Sequence, residues 1–277
     1  MSLANKYFSD SFLPIFENPK PLAADYLAAQ PYPYAIFDNV FKPERLREVM
    51  AEFPDLAQRK KTEVFDNTNE KKIASVGEEQ FSDHSLALMH FLNSLPFLQF
   101  LEQLTSIPNL IPDPHFIGGG FHEIKPGGFL KVHVDFNKHY GNKLDRRLNA
   151  LVYLNENWEE SYGGHFELWN HDMTKCVKRV LPIFNRLVVF STIPGSYHGH
   201  PDPLTCPPDR SRRSLALYYY TNGRPDEEVS DAHSTVWKAR KGIDATPSIA
   251  HTLKNGLRTV VKELTPPAIV KLVKKLR

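Results

Sequence analysis

The chain has 277 residues, of which 41% are hydrophobic and 24% are charged, a composition that excludes a disordered or fibrous protein. The sequence contains no run of 18 uninterrupted apolar residues, so we predict no transmembrane helix. The first ten residues lack an apolar signal-peptide stretch. Only two cysteines occur, Cys176 and Cys206, which excludes a disulfide framework and a cysteine-rich zinc site. We therefore expect a globular protein of the reducing cytoplasm.

The formal net charge of +2 hides an uneven distribution of charge. Residues 238–277 hold ten Lys or Arg and two acidic residues, whereas the preceding residues hold 24 basic and 30 acidic ones. Apolar residues at helical spacing predict a helix over 248–264. We predict a basic helical tail over 225–277, either docked as an ordinary amphipathic helix or contacting anionic lipid or an acidic partner. A basic tail without a recognised module is weak evidence for nucleic-acid binding, which we do not expect.

Residues 1–110 are predicted to form a lead-in with supporting helices. Their pattern predicts, in chain order, a docked Pro-rich segment at 11–34, a strand at 34–37, a helix at 42–53, a mobile charged loop at 56–73 and one or two helices at 82–105, broken around Pro96.

From residue 115 the pattern changes to short apolar runs separated by turns. Most have the two-residue alternation or the continuous apolar character of strands. The runs are 115–124, 129–135, 147–155, 164–169, 176–181, 186–191 and 213–220. This spacing predicts a mainly β domain over 111–224, a sandwich or a barrel, and the strand signal stops after Gly223.

Histidine and carboxylate residues two positions apart share one face of a strand and can supply two metal ligands. The sequence has three such pairs: His133/Asp135, His165/Glu167 and His200/Asp202. The first ends a strand-like run, and His198 follows another strand 65 residues downstream. Two histidines and one carboxylate on one face of a metal leave three octahedral positions open, which is the facial triad of non-haem Fe(II) oxygenases.

Six segments together resemble the Fe(II)/2-oxoglutarate-dependent oxygenases, specifically their prolyl 4-hydroxylase-like branch. They follow one another in the family's order and near its spacing: 127–135, 146–155, 163–168, 185–190, 198–201 and 212–214. The resemblance implies a mainly β fold with flanking helices, built on a double-stranded β-helix (jelly-roll) core.

The resemblance also implies the metal ligands. His133, Asp135 and His198 match the family's iron ligands, with His200 as the alternative to His198. An aspartate at 135, where halogenating relatives have a small residue, favours hydroxylation.

Five further residues bear on 2-oxoglutarate. Arg212 matches the basic residue that pairs with its distal carboxylate, with Arg213, on the opposite strand face, as the alternative. Ser214, Tyr153 and Asn149 are predicted to line the same pocket.

One position departs from the family, and the substrate contacts are open. Many relatives have a tyrosine nine or ten residues before the first iron ligand, where this chain has Ile124 and Glu123. The His165/Glu167 pair either faces the cavity mouth or lies on an outward polar face, and His139 is expected in the loop after Asp135. The predicted substrate contacts are the loop 56–73, Arg146, Glu167 and Trp169.

The implied activity is that of a dioxygenase that uses Fe(II), 2-oxoglutarate and dioxygen, with ascorbate as a possible reductant. Its expected substrate is a prolyl or other amino-acid side chain in a peptide or protein. The alternatives are a free amino acid, a sugar or a natural-product intermediate, a non-enzymatic metal-binding jelly-roll module, and a cupin-like metalloenzyme without 2-oxoglutarate.

Overall fold

The computed structural model describes residues 3–244, and the elements up to Lys238 belong to one compact unit. The α-helices in this part are α1 (Leu3–Tyr7), α2 (Leu13–Glu17), α3 (Ala23–Ala28), α4 (Pro43–Ala51), α5 (Asp83–Leu92) and α6 (Leu95–Thr105). The strands are β1 (Tyr34–Asp38), β2 (Thr62–Asp66), β3 (Glu70–Ser75), β4 (Ile111–Pro112), β5 (Gly120–Ile124), β6 (Phe129–Val134), β7 (Asp145–Tyr153), β8 (Phe166–Trp169), β9 (Cys176–Val180), β10 (Arg186–Ser191), β11 (His198–His200), β12 (Arg212–Thr221) and β13 (Val236–Trp237). No helix among the described residues is long and apolar enough to cross a membrane.

The strands form one curled antiparallel sheet. Its order is β1-β10-β7-β12-β5-β3-β6-β11-β8-β9, while β2, β4 and β13 pair with β3, β12 and β6. The mainly β class with flanking helices and a double-stranded β-helix core is therefore confirmed. Strands β1 and β3, which lie before residue 111, are part of this same sheet.

Alternation along each strand gives the sheet two faces with different tasks. On β12, Leu215 and Leu217 belong to the large core that includes Phe97 and Phe100 of α6. On the inner face, Tyr153, Phe166, Leu168, Val188 and Phe190 form a second apolar cluster. The helices thus cover the outer face, and the inner face is left to the side chains of the candidate site.

The predicted helices form with small shifts. The 82–105 segment is two helices, α5 and α6, separated at Asn93 and Ser94. Pro96 lies in the first turn of α6, where its missing N–H costs no helical hydrogen bond.

The segment 56–73, predicted as a mobile loop, is instead largely a β-hairpin. Strands β2 and β3 pair over five residue positions, and β3 continues into pairs with β5 and β6. At the turn, Asn67 Oδ1 accepts hydrogen bonds from the backbone N–H of Asn69 and Glu70. The charged composition suggested a loop because long-range pairing, which holds this hairpin, leaves little trace in local sequence.

Two other boundaries differ from the prediction. Residues 115–119 form a turn before β5, because the Asp113 carboxylate accepts the N–H groups of His115 and Ile117. The strands do not end before Gly223, since β13 pairs with β6 within the range predicted as a helical tail. A two-residue strand is too short to show periodicity. The predicted helix 248–264 lies outside the described residues.

Candidate active site

Two neighbouring strands bring the three predicted metal ligands together. His133 on β6 stands directly opposite His198 on β11, with ring centroids 4.4 Å apart. Asp135 follows the end of β6, and its Oδ1 and Oδ2 lie 3.6 and 3.3 Å from His133 Nε2 and His198 Nε2. The ligand atoms of the three residues all lie within 4.8 Å of one another, so one ion can contact all of them.

Both histidines are fixed in the tautomer that a metal requires. The Nδ1 of His133 donates to the Lys131 carbonyl at 2.8 Å, and that of His198 donates to the Ser196 carbonyl at 2.9 Å. Because a carbonyl can only accept, each Nδ1 carries the hydrogen and each Nε2 presents its lone pair to the shared centre.

The protonation states also suit a divalent cation. Burial, together with the adjacent His198, lowers the pKa of His133, so the ring stays neutral. Burial alone would raise the pKa of Asp135, but Arg146, with the nearby histidines, holds it well below its usual value. The group therefore offers two imidazole Nε2 atoms and one carboxylate anion, a donor set that Fe(II) accepts.

Two buried residues of β7 hold the Asp135 carboxylate. Its Oδ2 accepts hydrogen bonds from Arg146 Nη2 at 3.0 Å and Asn149 Nδ2 at 2.7 Å, while Asn149 Oδ1 accepts from the Arg146 guanidinium. Arg146 itself lies between the rings of Phe136 and Tyr218, at 4.3 and 3.5 Å from their centroids. This clamp leaves Oδ1 free of these bonds and turned toward His133.

The clamp gives Asn149 and Arg146 different roles from those predicted. Asn149 was expected at the cosubstrate and Arg146 at the substrate, yet both side chains donate hydrogen bonds to Asp135 and are hydrogen-bonded to each other. Arg146 is also 1% exposed, which excludes a direct surface contact with substrate. Sequence spacing placed both residues near the site but could not assign their hydrogen bonds.

Arg212 lies on the inner face as a buried cation. Its Nε donates to the Gly164 carbonyl at 2.8 Å, and its Nη2 donates to the Tyr153 hydroxyl at 3.2 Å. No carboxylate among residues 3–244 forms an ion pair with it, and burial lowers its pKa. Ser214 faces the same side, opposite Tyr153 in the register. Arg212, Tyr153 and Ser214 thus adjoin one another on the inner face.

Arg213 is turned to the other face and has its own partner. Its Nη2 lies 3.1 Å from Oε1 of the buried Glu123, which also accepts from Ser211 Oγ at 2.7 Å. Glu123, one of the two residues noted at the place of the relatives' tyrosine, is thus held in an ion pair. The other, Ile124, belongs to an apolar cluster with Leu204.

Sequence comparison agrees with this geometry. Residues 119–238 match the 2OG-Fe(II) oxygenase superfamily, a range that contains the three clustered ligands and Arg212.

This match, together with the clustered ligands, identifies the protein as a 2-oxoglutarate-dependent Fe(II) dioxygenase with Fe(II), 2-oxoglutarate and dioxygen as its cofactors. No curated protein matches the chain in sequence.

Solved prolyl hydroxylases share the fold of this oxygenase. A Pseudomonas putida prolyl-4-hydroxylase is 17% identical, with a TM-score of 0.52 over 75% of this chain and 100% of its own. A Trichoplax adhaerens prolyl hydroxylase, solved with a peptide fragment of the hypoxia-inducible factor oxygen degradation domain, is 19% identical. Its TM-score is 0.56 over 76% of this chain and 93% of its own. At these identities the likeness concerns the fold.

Of the other histidines in the oxygenase, His165 lies on the outer side of its strand. Phe166 and Leu168 of β8 face inward, while Glu167 on the opposite face accepts from Trp169 Nε1 at 3.0 Å and lies 3.4 Å from Arg179. His165 contacts Glu160 at 2.8 Å. The outward alternative for the pair therefore describes the structure. Substrate contacts of Glu167 and Trp169 stay a prediction. His139 lies in the loop after Asp135, as predicted.

Sequence reasoning missed Trp237, whose ring lies 5.0 Å from that of His133. Strand β13 places it there, by pairing Trp237 with His133 and by a hydrogen bond from Lys238 N to the Val132 carbonyl. An isolated tryptophan in a polar stretch was the available signal. The Trp237 ring thus packs beside one of the metal ligands of the oxygenase.

Proposed function

We propose that this dioxygenase hydroxylates an unactivated C–H bond of a prolyl or other amino-acid side chain in a peptide or protein. The observation that carries the reaction class is the pairing of two sites on one inner face. One is the group His133, Asp135 and His198, and the other is the buried, carboxylate-free Arg212.

His133, Asp135 and His198 would hold Fe(II) through two Nε2 atoms and one carboxylate oxygen. When bound, Fe(II) with 2-oxoglutarate and dioxygen supplies the oxidising chemistry that replaces C–H by C–OH. The Asp135 anion offsets part of the metal charge, and Arg146 and Asn149 keep that carboxylate oriented.

Arg212 would bind the distal carboxylate of 2-oxoglutarate. A buried guanidinium without an anion is costly, and a carboxylate that arrives between Arg212 and the Tyr153 hydroxyl offsets that cost. Ser214 on the same face can add a hydroxyl donor. The residues present therefore fit the cosubstrate, and this fit argues against a cupin-like enzyme without it.

The hairpin β2–β3 supports a peptide or protein substrate. Its turn is tied to the metal strand, since Lys131 N donates to the Asn69 carbonyl at 2.8 Å, two residues before His133. Val64 on β2 is 65% exposed, so an apolar side chain faces solvent on this hairpin. The Trichoplax prolyl hydroxylase, which shares the fold, was solved with a peptide. We propose that the hairpin contacts a peptide substrate.

The test is succinate formation from 2-oxoglutarate in the presence of Fe(II) and ascorbate, with mass spectrometry of the substrate. Proline-containing peptides, free amino acids and sugars are compared, with His133→Ala as the inactive control. We expect a mass gain of one oxygen on a peptide and a higher KM for that peptide in Val64→Asp, with unchanged 2-oxoglutarate affinity. Oxygen incorporation only into a free amino acid or sugar would replace the peptide proposal with the small-molecule alternative. Absence of both iron-dependent turnover and 2-oxoglutarate binding would leave only a metal-binding module.

A further inference from the structure

His200 is a buried histidine of the inner face whose ring has no partner. It is 3% exposed, and neither Nδ1 nor Nε2 forms a hydrogen bond with any described residue. Burying a polar group without a hydrogen-bond partner is unfavourable, because the group loses its bonds to water and gains none in return. An apolar side chain at this place would avoid that cost, so the imidazole needs an explanation.

The position of His200 separates it from the metal. His198 pairs with His133, whereas His200 pairs with Leu130, three residues earlier on the same strand. His200 itself lies two residues beyond His198 on β11, which is roughly 7 Å along the strand. The clustered ligand atoms come from His133, Asp135 and His198 and do not include those of His200. His200 is therefore displaced along the inner face from the metal ligands.

Arg212, Lys72 and His133 are the charged and titratable groups that act on His200. Burial is the main cause that lowers its pKa well below the usual value, and the positive charge of Arg212 is the next. His200 thus lies within electrostatic range both of the guanidinium that receives the distal carboxylate and of a metal ligand. Its ring is therefore close enough to the proposed cosubstrate site for the charges of that site to act on it.

Strand β11 is built to hold this arrangement. A Cβ at Gly199 would lie 2.7 Å from the Leu130 carbonyl oxygen and 2.9 Å from that of Lys131. Only glycine permits this close approach, which occurs where the register between β11 and β6 shifts. His198 and His200 consequently stand on the same inner face on either side of the glycine.

We propose that His200 is a cosubstrate-binding residue, which donates a ring N–H to a carboxylate oxygen of 2-oxoglutarate. The inference rests on the proposed function and adds a contact to it beyond Arg212, Tyr153 and Ser214. It also assigns a partner to a ring nitrogen that has none among the described residues.

The test measures binding without turnover. Mn(II) replaces Fe(II), oxygen is excluded, and calorimetry gives the affinities for Mn(II) and for 2-oxoglutarate separately. His200→Leu should weaken 2-oxoglutarate binding about 10- to 100-fold, the range for a hydrogen bond to a charged group, and should leave Mn(II) affinity unchanged. His200→Gln, which retains a donor, should restore most of the affinity. His139→Leu is the matched control, because His139 is equally buried and its Nε2, which lies 3.6 Å from Asp113 Oδ1, also forms no hydrogen bond with a described residue.

The outcomes separate this inference from the proposed function. If wild type binds 2-oxoglutarate and His200→Leu binds it equally well, the His200 contact is wrong and the function stands. Loss of Mn(II) binding in His200→Leu would make His200 a metal ligand instead and would also overturn the contact. If wild type itself fails to bind 2-oxoglutarate, the function fails and the contact with it. Should the leucine variant not fold, His200→Phe provides a ring without a donor for the same comparison.

A second ligand identifies the end of the cosubstrate that His200 contacts. 2-Oxobutyrate has the keto-acid group but lacks the distal carboxylate. An affinity loss in His200→Leu for both ligands places the hydrogen bond at the keto-acid end. A loss confined to 2-oxoglutarate places it beside Arg212, and either result supports the contact.

Discussion

At the scale of single residues, the Asp135 carboxylate depends on side chains that never reach the metal. Asn149 donates to it at 2.7 Å and also accepts from Arg146, so its removal frees both neighbours. We predict that Asn149→Ala weakens Mn(II) affinity about 10- to 100-fold, as is usual for partners of metal ligands. Asn155→Ala is the control: Asn155 is equally buried but bonds to Pro182 and Arg213, so this variant should lower only the melting temperature. Equal Mn(II) affinity in Asn149→Ala and wild type would contradict the clamp.

The adjacent arginines of β12 allow a second test at this scale. Arg212→Ala should weaken 2-oxoglutarate binding about 100-fold or more, because a buried carboxylate loses its only cation. Arg213→Ala should leave that affinity unchanged and lower the free energy of unfolding by about 2 kcal/mol, since the buried Glu123 loses its ion pair. Calorimetry and urea unfolding measure the two effects. An exchange of the two results would mean that the faces of β12 are reversed.

At the scale of elements, the pairing of β11 with β6 sets the distance between the metal-binding histidines. Gly199→Ala introduces a methyl group too close to two backbone carbonyls of β6, so the strands must move apart. We expect weaker Mn(II) binding in this variant. Gly141→Ala is the matched control, because its added Cβ meets the His139 ring at an ordinary 3.5 Å. Unchanged Mn(II) affinity in Gly199→Ala would show that β11 adapts without moving His198.

Helices α4 and α5 are joined by Glu52, which follows α4 and caps the start of α5. Its carboxylate accepts the N–H groups of His84 and Ser85 at 3.0 and 2.9 Å. Burial alone would raise the pKa of Glu52, but these hydrogen bonds lower it. A lowered pKa means that the stabilisation is complete at neutral pH and is lost as the pH falls through the folded-state pKa.

We therefore predict that Glu52→Gln lowers the free energy of unfolding by about 1 kcal/mol at pH 7, and that the difference shrinks below about pH 4. Urea unfolding at several pH values measures it. The exposed Glu63→Gln should show no such difference at any pH. A cost that persists undiminished in acid would exclude the charge as its cause.

At the scale of the whole molecule, the segment that contains β13 completes the surroundings of the metal ligands. Asn137, just after Asp135, donates to Ser230 Oγ and to the Asp231 carbonyl, and Trp237 lies beside His133. A chain that ends at Arg224 should bind Mn(II) more weakly and melt at a lower temperature. A chain that ends at Asp244 should match the full chain in both measurements. Equal Mn(II) affinity in the shorter chain would refute this role.

The chain that ends at Asp244 also tests the function of the basic tail. The predicted helix 248–264 lies outside the described residues, and contact of the tail with anionic lipid stays a prediction. Sedimentation with anionic liposomes should recover the full chain but not the chain ending at Asp244. Equal recovery of the two chains would reject contact of the tail with anionic lipid.

Local sequence by itself determined strands β1, β5 to β10 and β12, the turn before β6 and the residue types of the metal group. Alternating apolar residues show directly which strand faces are buried, and His-x-Asp spacing places two ligands on one face. Resemblance then supplied His198 and Arg212. Tertiary structure decided what spacing cannot carry: that Arg146 and Asn149 hold Asp135, that Arg213 belongs to Glu123, and that β13 reaches His133. These facts depend on contacts between residues far apart in the chain, where hydrogen-bond direction and strand register leave no local pattern. The formal net charge of +2 divides in the same way. The sequence shows that its positive excess lies in the tail, whereas only the fold shows that cations of the site are buried.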